Sequence, residues 1–283
     1  MTPAEPPCTP AKEQGSFRAQ ARPARIAIED ITGGLRGYRL AALLGWYDVK
    51  LRYRRSTLGP FWLTISMGML IGVMALVFGQ IFGQPLADFL PFLCAGLIVW
   101  GFISTMLTEG CMSFISADYV IKELPLPLFS HVLRVYFRNV LILLHNLIIL
   151  PIVLLAFGKA LPLISVLSLL GFVLVSLNLL WMALLTSVLC TRYRDMPPLI
   201  ANLVQIGFYL TPIIWPPHLL PGRAALIVDL NPLAHIVAVI RDPLLGQLPT
   251  ALNWTVSIAL AIVGWAVTIV FYGYYKRRVA YWL

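Results

Sequence analysis

The sequence predicts an all-α integral membrane protein with six transmembrane helices. Three observations lead there. First, 59% of the 283 residues are hydrophobic and 12% are charged, about half the charged content of a soluble domain. Second, the apolar residues fall into six stretches, at about 61–82, 90–108, 139–158, 161–190, 199–215 and 254–275. Third, the basic residues occupy alternate gaps between them. Eighteen of the 21 Lys and Arg lie before the first stretch, between the second and third, between the fourth and fifth, or after the sixth. Only Lys159, Arg223 and Arg241 fall in the other gaps. Loops on the cytoplasmic side of membrane proteins carry this excess. The expectation is a multi-pass protein of the inner (cytoplasmic) membrane with both termini in the cytoplasm.

The elements follow in order. Residues 1–33 are rich in Pro and Ala and mixed in charge. They lack the apolar core of a secretory signal peptide and read as a disordered cytoplasmic tail. The membrane domain is expected to cover 34–283. Residues 34–56 have helical periodicity: Arg36, Arg39, Lys50 and Arg54 fall within an arc of roughly 60° at 100° per residue. Leucines, tyrosines and other apolar residues flank that stripe on both sides. A basic stripe on an apolar helix suits the membrane–water interface, and packing on a partner is the alternative. The helix should end at Leu58-Gly59-Pro60, where Gly permits a tight turn and Pro starts the next helix.

Phe61 to Phe82 has no charge. At about 1.5 Å per residue it crosses a hydrocarbon core of about 30 Å. The stretch at 161–190 is long and should tilt, whereas 199–215 is short and runs into Pro216-Pro217. In the gap at about 110–138, Asp118 is expected to cap a short helix that Pro125 and Pro127 terminate. That gap holds few charges and many apolar residues, so it should dock against something. In the gap at about 216–253, Asn231-Pro232 should cap and start a helix running to about Gly246, with a second short piece over Arg223 to Leu230. Neither piece can span, and both read as re-entrant or interfacial.

Composition and motifs exclude several functions. The net charge of +9 is mostly the orientation signal plus attraction to anionic lipid, so no nucleic-acid partner is expected. Cys8, Cys94, Cys111 and Cys190 are scattered and lack metal-ligand spacing, so no metal site is expected. His131, His145, His218 and His235 are not paired with acids as a triad or zinc site would require. The chain has no phosphate loop: Gly158-Lys159 is followed by Ala, with Val153 where the first Gly would stand. If ATP drives this protein, another chain binds it.

The third span, taken with the residues that lead into its apolar stretch, carries a polar face. His131, Arg138 and His145 are spaced by seven, Arg134 lies on the same side, and Asn139 and Asn146 form a neighbouring pair. Such groups at membrane depth face a bundle interior or a watery cavity. Either this face lines the inner mouth of a path and meets an anionic head group, or Arg134 and Arg138 are helix-end anchors that snorkel. Glu109 is the candidate ion-pair partner. Most aromatics near the stretch ends read as interface anchors. Trp181 and Tyr209 lie within stretches and are candidates for a sugar-stacking surface, with core packing as the alternative.

Four segments carry a resemblance to a known family. The run Tyr53-Arg54-Arg55-Ser56-Thr57-Leu58-Gly59-Pro60-Phe61-Trp62 resembles the opening signature of the ABC type-2 permeases that export polysaccharides. Phe92 to Trp100 resembles their second-span pattern. Tyr193-Arg194-Asp195 with Phe208-Tyr209-Leu210-Thr211-Pro212-Ile213, and Asn231-Pro232 with Arg241, resemble later segments. The likeness covers about 35–283.

The resemblance implies a Wzm-type permease of the O-antigen class: six spans, a homodimer, and a pair of separate ATPase subunits that bind ATP and Mg. Its cargo would be a polysaccharide on a polyprenyl diphosphate, placing the chain in lipopolysaccharide biosynthesis. By that likeness the lipid diphosphate would meet Leu58-Gly59. Arg52, Arg54 and Arg55 stand beside that turn, and Arg134 and Arg138 can approach from the third stretch; guanidinium forks suit phosphate. The glycan channel would include Trp62, Trp181 and Tyr209. A coupling helix within Ser116 to Leu128, with Asp118, Lys122 and Glu123, would dock in the ATPase groove, joined by Arg194 and Asp195. An outer gate over Pro216 to Leu248 would include Asn231, Pro232 and Arg241. Relatives often have Asn where this chain has Ser116-Ala117-Asp118. Two alternatives stay open: export of another lipid, drug or glycolipid by the same fold, and a membrane-embedded transferase, for which no acid/base pair is visible.

Overall fold

A computed structural model describes residues 23–52, 54, 56, 59, 61–217 and 226–283, which are mostly helical with no strand among them. Arg55, Leu58, His218 and Arg223 lie outside the described residues. Among the described residues, two helices precede the first long apolar one: α1 (Pro23–Arg36) and α2 (Tyr38–Arg52). Then follow α3 (Phe61–Phe82), α4 (Leu86–Gly110), the short α5 (Asp118–Glu123), α6 (Phe129–Leu147) and its continuation α7 (Ile149–Ala156). The chain ends with α8 (Leu167–Arg192), α9 (Met196–Leu210), α10 (Leu226–Leu230), α11 (Pro232–Leu244) and α12 (Ala251–Trp282).

Among the described residues, five helices are long and apolar enough to cross a membrane: α3, α4, α6 with α7, α8 with the 3-10 turn before it, and α12. The fifth expected stretch differs. Its helix α9 has 15 residues, about 22 Å of rise against a core of about 30 Å. The stretch then continues without helix through Thr211 to Ile214, all buried. Non-helical backbone is tolerated at membrane depth only when protein surrounds it. Here Pro212 O accepts from Arg241 and Thr211 Oγ1 accepts from Asn231.

The expected disordered tail through residue 33 is corrected for 23–33, which form most of α1. Pro23 sits at the first helical position, where its missing N–H costs nothing. Helix α1 packs along α12 so closely that a side chain on Gly273 would strike the Pro23 carbonyl. The expected single helix over 34–56 is likewise two helices, broken at Gly37. Helix α2 lies on α6 through Ala41, Gly45 and Val49, a stripe of small residues. A Cβ on Gly45 would sit 2.8 Å from the Arg134 carbonyl oxygen, so the absent side chain permits the contact. Leu43, Trp46 and Leu51 are left exposed, as are Arg36, Arg39, Lys50 and Arg54. An apolar surface bordered by cations is what the interface requires.

Helix α4 is the hub. Leu93 through Trp100 are all buried, and its neighbours are α3, α6, α8, α9 and α11. Helix α3 is the opposite, burying only Ile71, Ala75 and Gly79. Its Val73, Leu76 and Ile81 are 61–65% exposed, an apolar face that lipid or another protein must cover. Helix α12 packs along α8, where Trp181 lies against Gly264.

Candidate functional site

The helix ends carrying the excess of cations collect at one end of the bundle. There α2, the end of α4 and the start of α6 meet in a charged cluster. Arg134 grips Asp48 with both arms of its fork, Nε to Oδ2 at 2.8 Å and Nη2 to Oδ1 at 2.5 Å. Arg138 reaches the same carboxylate at 3.3 Å and Glu109 Oε2 at 2.8 Å. Arg52 approaches Glu109 Oε1 at 3.4 Å, and Asn139 Nδ2 donates to Oε2 at 3.0 Å. The Asp48 side chain is 13% exposed. Partly buried, bidentate pairs of this kind are the strong ones. Three guanidiniums thus share two carboxylates.

Sequence periodicity places Arg134 and Arg138 on one face, and Glu109, near the end of the second stretch, is the candidate partner. The structure pairs Glu109 with Arg138 and gives Arg134 to Asp48, a residue the sequence reading did not single out. The remaining polar face of α6 is covered by protein: His131 is 3% exposed and Asn139 1%. His145 Nδ1 lies 2.7 Å from the Leu141 carbonyl oxygen, within the helix. Of the residues expected near the turn before α3, Arg52 and Arg54 are exposed. Gly59 has φ 57°, the left-handed conformation a glycine adopts freely. Arg55 and Leu58 fall outside the described residues.

The segment from 118 to 128 forms a second feature of this end. Helix α5 covers Asp118 to Glu123 and stops before Pro125, as the prolines dictate. Asp118 is not its cap, as expected, but its first residue: Ala117 holds the cap position without a side-chain bond. Asp118 instead pairs with Lys122 one turn on at 2.8 Å. Tyr119 is 78% exposed, and Lys122, Glu123 and Leu124 are exposed beside it.

The base of this segment is held by a residue absent from the sequence reading. Asp30 of α1 is buried, and its carboxylate accepts from Leu128 N at 3.2 Å and Phe129 N at 3.0 Å, at the start of α6. It also accepts from Tyr272 Oη at 2.6 Å and Lys276 Nζ at 2.9 Å, both on α12. One carboxylate therefore satisfies open backbone donors of α6, favours its positive end, and joins α1 to α12. Nearby, Arg194 and Asp195 are exposed in the turn from α8 to α9.

At the opposite end, Asn231 does cap α11. Its Oδ1 accepts from Leu233 N at 3.0 Å, and its Nδ2 donates to Thr211 Oγ1 at 2.9 Å. Pro232 occupies the first helical position. The Arg241 side chain is 7% exposed. It donates to Pro212 O at 2.5 Å, pairs with Asp242 at 3.2 Å and lies 4.7 Å from the Phe92 ring centre. Asn231 and Arg241 thus pin α11 to the end of the α9 segment. Of the aromatics, Trp62 and Tyr209 are 49% and 60% exposed, on α3 and α9. Trp181 is enclosed between α8 and α12, donating to Asn178 Oδ1 at 3.2 Å.

Residues 39–245 match the family model described as "ABC-2 type transporter". The chain is 24% identical over 241 residues to an "O-antigen export system permease protein RfbA" of Klebsiella pneumoniae, covering 79% of this chain and 85% of that protein. A protein of the same description from Myxococcus xanthus is 23% identical over 193 residues, covering 67% of this chain and 74% of that one.

Proposed function

From the premise that the chain belongs to the ABC-2 type transporter family, we propose that it is the transmembrane subunit of an ATP-driven exporter. Its cargo is an O-antigen-like polysaccharide linked to a polyprenyl diphosphate, moved from the cytoplasm across the inner membrane. The names of the relatives support the cargo class. The positive-inside bias supports cytoplasmic termini. On this reading α9 with its buried continuation makes the sixth crossing. The exposed apolar faces of α3 and α9 meet a second copy of the chain, and two ATPase subunits supply ATP hydrolysis.

One observation carries the coupling role. The segment from Asp118 to Leu128 exposes Tyr119, Lys122, Glu123 and Leu124, while Asp30 fixes its base to α1, α6 and α12. A displacement of the exposed helix by a partner subunit would pass through that junction as a rigid-body shift. The lipid diphosphate meets Arg54, Arg55 and the Leu58-Gly59 turn. Arg134 and Arg138 are engaged by Asp48 and Glu109 and orient α2 rather than bind the phosphate directly.

The test is purification of the tagged chain from its native membrane with an ATPase assay of what accompanies it. A stoichiometric ATP-hydrolysing subunit is expected. A chain recovered alone, or one forming a product without ATP, refutes the exporter reading. Reversing the charges of Lys122 and Glu123 should then lower transport-coupled hydrolysis in a folded complex. Accumulation of intracellular lipid-linked glycan on deletion identifies the cargo, and accumulation of another lipid moves the assignment within the family.

A further inference from the structure

Two cavities run into one another along the last helix. The first, of about 600 Å³, lies between the ends of α8 and α12 and is lined by Arg192, Arg277 and Arg278 together with Tyr193 and Trp282. No carboxylate lines it, and among the described residues none of the three arginines forms a salt bridge. The second, of about 680 Å³, is an apolar groove over Val267, Val270 and Phe271. Phe271, Tyr275 and Arg278 belong to both.

Two of the three guanidiniums lie against aromatic rings. Arg192 lies 5.2 Å from the Trp282 ring centre and 5.8 Å from that of Tyr193. Arg278 lies 6.0 Å from the Tyr275 ring centre. At such distances the negative face of the ring attracts the cation without occupying its N–H donors, which are left for an anion. From Val267 to Arg278 the helix rises about 16 Å. Over that distance the lining changes from aliphatic to cationic, at the aromatic girdle where a spanning helix leaves the hydrocarbon.

The geometry points to a resident site for an anionic phospholipid, with the phosphate-bearing head group held by Arg192, Arg277 and Arg278 and an acyl chain laid along Val267 to Phe271. A free phosphate would leave the apolar groove unfilled. A choline lipid would place a quaternary cation among three guanidiniums. A phosphatidylglycerol-type lipid matches both the charge and the apolar extension. The inference uses only the membrane-spanning character of α12 and does not depend on the export reading.

The test uses the full chain in detergent, with any subunit that accompanies it, titrated with phosphatidylglycerol or phosphatidylcholine and read by native mass spectrometry. Phosphatidylglycerol should bind more tightly. The triple substitution R192Q/R277Q/R278Q should weaken it roughly a hundredfold, because each basic residue at an anionic surface contributes about a fivefold gain. Phosphatidylcholine binding should not move. Equal affinity for the two lipids, or unchanged phosphatidylglycerol affinity in the triple variant, overturns the site. A photoactivatable phosphatidylglycerol on the unaltered chain reads the site without any variant. Labelled peptides from 188–193 and 267–282 are expected, and labelling confined to other segments refutes the assignment. Displacement by an equimolar polyprenyl diphosphate would transfer the site to a carrier lipid. Displacement by inorganic phosphate would remove the role of the groove. Either result overturns a resident phospholipid.

Discussion

Replacing Asp30 by Ala should be among the most damaging single changes outside the hydrophobic core. The Asp30 side chain is 3% exposed, and its loss strands four donors at once. Two are backbone N–H groups at the start of α6, one is the hydroxyl of the fully buried Tyr272, and one is the Lys276 ammonium. Removing one member of a buried charged pair costs about 3–5 kcal/mol, because the remaining groups keep their desolvation penalty. Tyr272→Phe should cost about 1–2 kcal/mol through the single lost bond. In the Asp30→Ala background that hydroxyl has no acceptor, so the second change should cost little. The coupling energy should therefore be about 1–2 kcal/mol. Reversible unfolding in mixed micelles, followed by far-ultraviolet circular dichroism, measures all four corners of the cycle. Trypsin supplies a local reading: cleavage after Lys122 should accelerate in Asp30→Ala as the base of the segment loosens. Additive costs, or an Asp30→Ala variant within about 1 kcal/mol of the original chain, would refute the assignment of this carboxylate as the junction of α1, α6 and α12.

Three further outcomes are expected. Asp48→Ala removes the shared acceptor of Arg134 and Arg138 and should cost about 2–3 kcal/mol, the scale of a charge-assisted bidentate bond; proteolysis of α2 should rise, and an unchanged rate would show that α2 is held by packing alone. Gly264→Val puts side-chain atoms into the Trp181 ring and should separate α8 from α12, destabilising by about 1–3 kcal/mol as overpacking does; blue-shifted tryptophan emission and unchanged stability would count against the close contact. Asn231→Ala removes both the cap of α11 and the bond to Thr211, for a cost of about 1–2 kcal/mol, whereas Thr211→Val should remove the link and keep the cap; thermal unfolding of the two variants separates the roles.

Much of the site was readable at the level of single elements. Asn231-Pro232 carries its own start signal, because a cap is satisfied by the residue two positions on. The prolines at 125 and 127 end α5 for reasons local to the backbone. Glu109 was identifiable because few acids stand near the helix ends. Asp48 was missed: its partner Arg134 lies 86 positions away, and nothing in the periodicity of α2 marks one acid on an interfacial helix as buried. Asp30 was missed for a similar reason, since a Pro/Ala-rich neighbourhood hid the helix that presents it. Trp181 is a tryptophan within an apolar stretch, and only its neighbour Gly264 shows that the ring is spent on helix packing.

Membrane class, the charge bias of alternate gaps and the extent of α3 could all be read from the order of residues alone, whereas most other helices begin or end several residues from the apolar stretches. The first three follow from hydropathy, charge distribution and capping signals, each a property of contiguous residues weighed against a solvent of fixed thickness. The tertiary structure alone decided which cations are neutralised and which stay open. Arg134 and Arg138 meet carboxylates, whereas Arg192, Arg277 and Arg278 gather around a cavity. Helices of similar composition differ in that respect only through how they pack, because small residues such as Gly45 and Gly273 set the distances of closest approach. Those distances fix which charges from remote parts of the chain come within a few ångströms of one another.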